Sequence, residues 1–297
     1  MSICDIVDTC RYPLDYSGGA AYKKLISQCR QQLKQDGCCL LPDFLKPDAL
    51  DNAKQEAITL ATGGFQMNRY FAYDDVNDDT LSRNLDSLPK DHPRRFKSLT
   101  KIRFVARDLI SSVNPIQRVH NWPSICTFLQ GLLQMPAIYP NECPLSSCVF
   151  TVAERGELQN WHFDGNQFIV TLMLEDSNDG GYFEFVRGLR EPGKEDNFES
   201  IAQVINGNYP AVSRPVIKPG TLTVFRGKYS LHRASAVEGD GRRIMAVLSY
   251  ETDPGKTGTD EYLKLFYDRT LSEVINSFQP PNEVLHPKLR STGLSKE

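Results

Sequence analysis

His162 and Asp164, separated by one residue, have the side-chain types and the spacing to bind a metal ion together. If this segment is a β-strand, alternate side chains point to one face and the two Cα atoms lie roughly 7 Å apart, so both side chains can converge on one ion. A second histidine, His232, follows in the sequence Ser-Leu-His-Arg. Two histidines and one carboxylate can bind one side of an iron ion and leave its other coordination positions open. These three residues therefore predict an iron site.

Two adjacent arginines, Arg242 and Arg243, begin a run of strand-forming residues that follows His232. A guanidinium group presents a planar fork of donors that can hold a carboxylate with two hydrogen bonds, which suits a dicarboxylic co-substrate. Neighbouring residues of a strand face opposite sides, so only one of the two arginines can point inward. Alternation counted back from Ser249 predicts that Arg243 faces inward and Arg242 faces outward.

Each of these residues also has an ordinary structural interpretation. A single histidine is more often a hydrogen-bonded core residue, an aspartate before a glycine is a common turn former, and paired arginines can form a solvated strand end. Their joint occurrence in this order, on predicted strands, favours the metal site. His92, His120 and His286 do not stand in a comparable pattern of candidate ligands and are interpreted as structural.

The composition is that of a globular protein and argues against several classes of partner. The 297 residues are 40% hydrophobic and 24% charged, with a formal net charge of −3. A slightly acidic chain without a long basic run is not expected to bind nucleic acid or an anionic membrane surface. The sequence has no apolar stretch long enough to predict a membrane span.

The N-terminus and the cysteines indicate a reducing compartment. The first residues lack the basic start and the apolar core of a signal peptide, so we expect a cytoplasmic protein. None of the 8 cysteines is spaced as Cys-x-x-Cys, and we interpret them mostly as small buried hydrophobic residues. The sequence does not indicate an oligomeric state.

Helical periodicity dominates the N-terminal half of the chain. The patterns predict helices over 20–35, 47–61 and 122–133, and strands over 38–41 and 100–109. Residues 66–93 are polar and rich in Asp and Asn, which predicts a long loop of the kind that often forms a functional lid. We therefore expect residues 1–146 to form a helical cap.

From residue 147 the pattern changes to short strand-forming runs separated by turn residues. These runs cover 147–153, 158–163, 166–175, 181–187, 213–218, 221–227, 230–234 and 242–251. About eight strands without intervening helices predict a double-sheet jelly roll. Residues 188–212 are polar and are expected to form an insertion over one end of the barrel. A final helix is predicted over 259–277, before a loosely structured tail after Pro280.

Together these patterns predict a single α+β domain over residues 1–297. Its core, residues 147–255, is expected to be a double-stranded β-helix (a cupin-like jelly roll). The N-terminal and C-terminal helices are expected to pack on one sheet, with residues 256–297 supplying the C-terminal helix and the tail.

Three elements stand in a characteristic order: the His-x-Asp motif at 162–164, the segment 219–227 leading to His232, and Arg243 at the head of a strand. In this order they resemble the Fe(II)/2-oxoglutarate-dependent oxygenases, and the likeness covers residues 147–255. A narrower likeness, to a branch of free-amino-acid hydroxylases and radical halogenases, rests on residues 88–95, 161–164, 180–186 and 225–233.

This resemblance implies a set of cofactors and a role for each site residue. His162, Asp164 and His232 would hold Fe(II), and Arg243 would bind the distal carboxylate of 2-oxoglutarate. The reaction would consume O2, convert 2-oxoglutarate to succinate and CO2, and oxidise a C–H bond of the substrate. Halogenases of this branch have glycine in place of the carboxylate ligand, which vacates a site for halide. Asp164 therefore implies that halogenation is not the reaction.

Several polar residues near the predicted iron site are candidates for binding a substrate. Gln159 and Asn160 lie beside the His-x-Asp motif and could contact a polar group. Three arginines could bind a substrate carboxylate, with exposed salt bridges as the alternative interpretation: Arg187, Arg190 and Arg226. Gln159 and Gly165 fall where the branch has polar substrate contacts, so the resemblance does not identify the substrate.

We therefore expect an oxygenase that oxidises an unactivated C–H bond of a small polar metabolite, with an amino acid or an N-substituted amino acid as the favoured class. Hydroxylation, desaturation and ring closure are all open outcomes. Two alternatives also stay open: a non-catalytic, cupin-like metabolite-binding module, and a hydroxylase that acts on a protein side chain. An intact triad together with Arg243 argues against the first, because a binding module needs no such set.

Overall fold

The structure is a computed structural model that describes residues 1–74 and 85–277. The strands in this part of the chain are β1 (Cys38–Leu41), β2 (Phe65–Phe71), β3 (Ser98–Val105), β4 (Tyr139–Pro140), β5 (Cys148–Ala153), β6 (Gln159–His162), β7 (Ile169–Glu175), β8 (Phe183–Arg187), β9 (Leu222–Phe225), β10 (Ser230–Ala234), β11 (Arg243–Leu248) and β12 (Tyr250–Glu251). The α-helices are α1 (Ile3–Ile6), α2 (Ala20–Asp36), α3 (Pro47–Ala61), α4 (Pro115–His120), α5 (Pro123–Leu133), α6 (Phe198–Ile205), α7 (Asp260–Tyr267) and α8 (Leu271–Ser277). Short 3₁₀-helices cover Leu85–Ser87, Pro93–Arg95 and Arg107–Leu109.

Two antiparallel sheets make up the β-structure that carries the predicted ligands. The larger sheet has the strand order β1-β9-β7-β11-β5-β3-β2, and the smaller sheet has the order β6-β10-β8. Strands β4 and β12 form a separate two-stranded pair. This mixed architecture, with two sheets and flanking helices, confirms the predicted jelly-roll fold class.

The large sheet is covered by different helices on its two faces. In β11, Ile244, Ala246 and Leu248 belong to a core that includes α2, α3, α4 and α5. Met245 and Val247 point to the opposite face, toward the interior of the jelly roll. Helix α7 packs on that interior face, against β2, β3 and β5. The N-terminal and C-terminal helices therefore pack on one sheet, as predicted, but on opposite faces of it.

Helix α3 shows why the N-terminal helices lie close to the sheet. Its residues at every fourth position are small and fully or almost fully buried: Ala49, Ala53, Ala57 and Ala61. Residues four apart share one face of a helix, so this face allows a close approach to β7 and β5. Pro47 begins the helix, where a missing N–H has no cost. The helices predicted over 20–35, 47–61 and 122–133 correspond to α2, α3 and α5.

The prediction of a loop over 66–93 is wrong in its first part, because residues 65–71 form β2 at the edge of the large sheet. Met67 is buried under α7, whereas Asn68 and Arg69 are exposed. An edge strand with one solvated face mixes polar residues with its apolar ones, here Gln66, Asn68 and Arg69, and this concealed the strand. Residues 75–84, at the centre of the predicted lid, lie outside the described residues, as does the predicted tail after Pro280.

Three other predicted elements differ from the structure. No strand forms over 213–218, where Ser213 makes only an isolated bridge with Phe185. The polar insertion over 188–212 contains α6. The helix predicted over 259–277 is divided into α7 and α8, because Asp268 adopts a left-handed conformation (φ 54°) and ends α7.

Within residues 1–74 and 85–277, none of the helices combines the length and the apolar character needed to cross a lipid bilayer.

Candidate active site

The pairing of β6 with β10 places the two histidines of the predicted triad opposite each other. His162 and His232 are partners in this antiparallel register, with ring centroids 4.2 Å apart. Asp164 follows β6, and its carboxylate lies between the rings: Oδ1 is 3.5 Å from His162 Nε2, and Oδ2 is 3.1 Å from His232 Nε2. Ligands at adjacent corners of an octahedral ion, with bonds of about 2.1 Å, are about 3 Å apart. The spacing therefore fits one iron ion on the facial triad.

Hydrogen bonds to the backbone fix the orientation of both imidazoles. His162 Nδ1 donates to the carbonyl of Asn160 at 2.6 Å, and His232 Nδ1 donates to the carbonyl of Ser230 at 2.8 Å. With the proton on Nδ1, Nε2 carries the lone pair that can bind a metal. Asp164 Oδ2 is a buried oxygen with no well-oriented hydrogen-bond donor among the described residues, as expected of an atom that faces a metal position. The donor set thus fits Fe(II) in chemistry as well as in spacing.

The electrostatics of the triad keep its carboxylate ionised. Burial alone would raise the pKa of Asp164, but the charge that His232 can carry and the close approach of both imidazoles hold that pKa below its ordinary value. Burial opposes protonation of His232, and the neighbouring Asp164 carboxylate outweighs it and raises the His232 pKa. The carboxylate is therefore available as an anionic ligand at neutral pH.

Arg243 lies on the same cavity as the triad, at the start of β11. Its side chain is buried, and its Nε has no hydrogen-bond partner among the described residues. Burial lowers the pKa of this guanidinium to about 10, although nearby Asp176 opposes the shift. Arg242 faces outward, with its Nε 3.7 Å from Glu175 Oε1. A buried cation with an unused donor fits an anionic ligand, and the orientation of both arginines is the one that strand alternation predicts.

The cavity that joins these groups has a volume of about 810 Å³. Phe225 and Phe183 pack against the ring of His232, at centroid distances of 4.9 and 6.1 Å. Thr171 and Thr223 line the same cavity as Arg243 and offer hydroxyl groups. A cavity of this volume has room for a small co-substrate and a second small molecule.

Of the predicted substrate residues, Gln159 lines the cavity next to the triad. The register between β6 and β10 shifts within this pair of strands. Gln159 and His162 are three residues apart on β6, whereas their partners Ala234 and His232 are two residues apart on β10. Such a bulge turns a side chain to the other face, and here it brings the Gln159 amide within 3.1 Å of His162 Nε2. Gln159 therefore lines the cavity directly beside His162 Nε2, the predicted ligand atom.

The other candidates are placed differently. Asn160 does not line the cavity, and its side-chain oxygen accepts the N–H of Trp161. Arg187 is exposed and donates to the carbonyl of Lys34, and Arg226 is exposed as well. Neither of these two arginines lines the cavity. Their predicted role in substrate binding has no geometric support.

Arg190 lines the cavity mouth but is engaged in a buried cluster of charges, here called the mouth cluster: Asp74, Arg94, Arg190 and Asp196. Arg190 Nη2 lies 2.7 Å from Asp74 Oδ1 and 2.8 Å from Asp196 Oδ2. Its guanidinium also lies 3.8 Å from the ring centre of Phe163, the residue between two triad ligands. The mouth cluster therefore connects three chain segments to the segment that carries His162 and Asp164.

Replacing Arg190 by Met is expected to destabilise the fold. The change leaves the buried Asp74 and Asp196 carboxylates with one fewer cation, and breaking a buried ion pair from one side costs about 3 to 5 kcal/mol. Urea denaturation followed by circular dichroism measures the loss. Arg187→Met is the matched control, with an expected change within about 0.5 kcal/mol because this side chain is exposed. Equal stability of both variants would show that Arg190 is free for another role.

The sequence patterns did not predict a polar cluster in the cavity that is centred on Glu251. Glu251 is buried and lines the cavity, and its Oε1 accepts from the Asn141 amide at 3.1 Å and the Asn166 amide at 3.4 Å. Its other oxygen is 3.3 Å from the exposed Lys256 ammonium. The available signal was strand parity, because the alternation that turns Arg243 inward also turns Glu251 inward.

Comparison with known protein families gives one match, to the family model described as HalD: Halogenase D, over residues 21–262. A search among curated proteins gave no match.

Solved structures share the fold at low sequence identity. The epimerase SnoN, in complex with Fe3+, alpha ketoglutarate and nogalamycin RO, is 13% identical over 93% of this chain and 97% of that chain, with a TM-score of 0.52. The alpha ketoglutarate-dependent carbocyclase SnoK is 14% identical, over 75% and 83%, with a TM-score of 0.51. AviO1 from Streptomyces viridochromogenes Tue57 is 16% identical, over 78% and 96%, with a TM-score of 0.50. These likenesses confirm the predicted fold of the 2-oxoglutarate–Fe(II) oxygenases.

Proposed function

The chain belongs to the Halogenase D family, and we propose that it is an Fe(II)/2-oxoglutarate-dependent oxygenase that oxidises an unactivated C–H bond of a small polar metabolite. The observation that carries this proposal is the complete triad of His162, Asp164 and His232, in one cavity with the buried Arg243. Iron and 2-oxoglutarate, when bound, activate O2 for the oxidation, with release of succinate and CO2. The complete set argues against a non-catalytic binding module.

The protein's own residues have separate tasks in this reaction. The three triad side chains hold the metal on one side only, so that the opposite side stays accessible from the cavity. Arg243 binds the far carboxylate of 2-oxoglutarate and so orients the co-substrate toward the metal. Phe183 and Phe225 exclude water beside His232. Gln159, which lines the cavity beside His162, would contact the co-substrate or the substrate.

Asp164 makes oxygenation, and not halogenation, the proposed outcome. Its carboxylate lies within 3.5 Å of both histidine Nε2 atoms and therefore occupies the ligand position that a halide would need. The depressed pKa of Asp164 keeps this ligand negatively charged, which further opposes the binding of a second anion. The family name describes the relatives of this chain, and the ligand set of this chain supports a different reaction.

The favoured substrate class is an amino acid or an N-substituted amino acid. Glu251 supports this choice, since its buried carboxylate lines the cavity and can accept an ammonium group. Asn166, two residues after Asp164, bonds to Glu251, so this carboxylate lies one short loop away from the metal position. The salt bridge to the exposed Lys256 is weak in such a setting and can yield to a substrate ammonium.

The test is a turnover screen with Fe(II), 2-oxoglutarate and O2 against amino acids and their N-alkyl derivatives, in buffer that contains chloride. We expect succinate to form together with a product whose mass shows hydroxylation, desaturation or ring closure. A chlorinated product from the native protein would contradict the role of Asp164. Turnover with none of the amino acids, but with another polar metabolite, would contradict the substrate class alone.

Glu251→Gln is expected to raise KM at least tenfold for a substrate that carries an ammonium group, with kcat changed much less. A hydrogen bond to a charged group contributes about 1.5 to 3 kcal/mol, and 1.4 kcal/mol corresponds to a factor of ten. Steady-state kinetics on the substrate found by the screen measure the effect. The matched control is Glu238→Gln, an exposed glutamate away from the cavity. An unchanged KM in the Glu251 variant would remove this residue from the substrate site.

A further inference from the structure

Gly227 lies in the turn between β9 and β10, five residues before His232, and contacts Asp164 in two ways. Its carbonyl accepts the backbone N–H of Asp164 at 3.2 Å. Its α-carbon faces the Asp164 side chain: a Cβ added to Gly227 would lie 3.0 Å from Asp164 Cγ, closer still to Oδ2, and 2.8 Å from Ile169 Cγ1. Cβ atoms do not tolerate such contacts. The carboxylate of Asp164 therefore occupies the space that any side chain at position 227 would need.

The carboxylate has no alternative position within the triad. Its two oxygens lie 3.5 and 3.1 Å from the Nε2 atoms of His162 and His232, so it is held between both rings. Aspartate has a short side chain, and a rotation large enough to clear a new Cβ moves at least one oxygen away from the histidines. The buried backbone of the turn cannot retreat freely either, because it carries the hydrogen bond to Asp164.

We propose that Gly227 is a positioning residue for the carboxylate ligand of the metal. Glycine at position 227 is what lets Asp164 enter the coordination sphere, and a side chain at position 227 displaces the carboxylate and opens that ligand position. Positions 164 and 227 form a coupled pair: aspartate at 164 requires glycine at 227, whereas glycine at 164 removes the clash with the carboxylate and vacates space into which the Ile169 side chain, the other close neighbour, can shift. This inference rests on the proposed iron site.

A double-mutant cycle on metal binding tests the coupling without any need for turnover. Apo forms of the native protein, Gly227→Ala, Asp164→Gly and the double variant are titrated with Co(II) in saturating 2-oxoglutarate, and the visible absorption bands of Co(II) are followed. We expect Gly227→Ala to raise the Kd for Co(II) at least tenfold when Asp164 is present and less than twofold when residue 164 is glycine. Gly18→Ala, where a Cβ meets no atom within 4 Å, should leave the Kd unchanged.

The possible results distinguish a failure of the proposed iron site from a failure of the proposed role of Gly227. A native protein that does not bind Co(II) would contradict the iron site itself. A native protein that binds, with a Gly227→Ala Kd equal to the native value or raised equally in both backgrounds, would overturn the role of Gly227. If Gly227→Ala fails to fold, as judged by circular dichroism, the double variant should fold as well as Asp164→Gly, because the missing carboxylate vacates space into which the methyl group and the Ile169 side chain can both shift. An unfolded double variant would overturn the proposal too.

Discussion

His232→Ala is expected to abolish metal binding and the formation of succinate while the fold is retained. His232 Nε2 is one of three donors around the predicted iron position, and its loss leaves Asp164 beside a single histidine. Removing residues that merely support a ligand commonly costs 10- to 100-fold in metal affinity, so the loss of a ligand should exceed about 100-fold. Metal content after loading with Fe(II) under anaerobic conditions, and succinate formation, measure the effect.

His92→Ala is the control for this experiment. His92 caps the 3₁₀-helix at Pro93–Arg95 and packs on Phe198, and it belongs to no cluster of metal-binding side chains in the described part of the chain. We expect its metal content to equal that of the native protein. Full metal content in His232→Ala, or metal bound at the cysteines, would contradict the triad.

The triad and Arg243 could be predicted because short-range rules decide their geometry. Side chains alternate in extended backbone, so Arg243 and Arg242 face opposite sides; Asp164 lies two residues after His162, just beyond the end of β6, and its carboxylate still reaches within 3.5 Å of His162 Nε2. His162 and His232 are far apart in the sequence, and the antiparallel pairing of β6 with β10 places them directly opposite each other. The resemblance to a known family supplied what alternation cannot, namely which strands are neighbours.

The substrate residues were less predictable because long-range packing decides them. Arg187 and Arg190 lie three residues apart, yet one is exposed and the other is buried among Asp74 and Asp196. Only the folded arrangement of distant segments creates that difference. Gln159 faces the cavity because of a bulge, which no periodicity reveals.

Two features of the fold were concealed for a similar reason. Strand β2 mixes polar residues with apolar ones because it lies at the edge of the large sheet. Helix α7 ends at Asp268 although its apolar periodicity continues into α8. Both depend on what packs beside the segment. This matters for the site, because α7 lines the cavity through Tyr262 and Phe266.

Arg243→Leu is expected to weaken 2-oxoglutarate binding far more than Arg242→Leu does. Arg243 is buried, and its Nε has no partner among the described residues, so the co-substrate carboxylate would supply the missing acceptor. Truncating one member of a buried charge pair costs about 2 to 5 kcal/mol, which is a rise of more than tenfold in Kd. Arg242 only approaches Glu175 at 3.7 Å on the outer face, and we expect its loss to change the Kd less than about twofold.

Titration calorimetry of 2-oxoglutarate into the Co(II)-loaded proteins distinguishes the two arginines. Both variants replace an arginine at the beginning of β11, one as its first residue and one immediately before it, so a general weakening of this strand end would affect them alike. A selective loss in Arg243→Leu therefore reports on the cavity face of the strand. A larger loss in Arg242→Leu would mean that the co-substrate binds on the other face, and it would move the proposed site away from the triad.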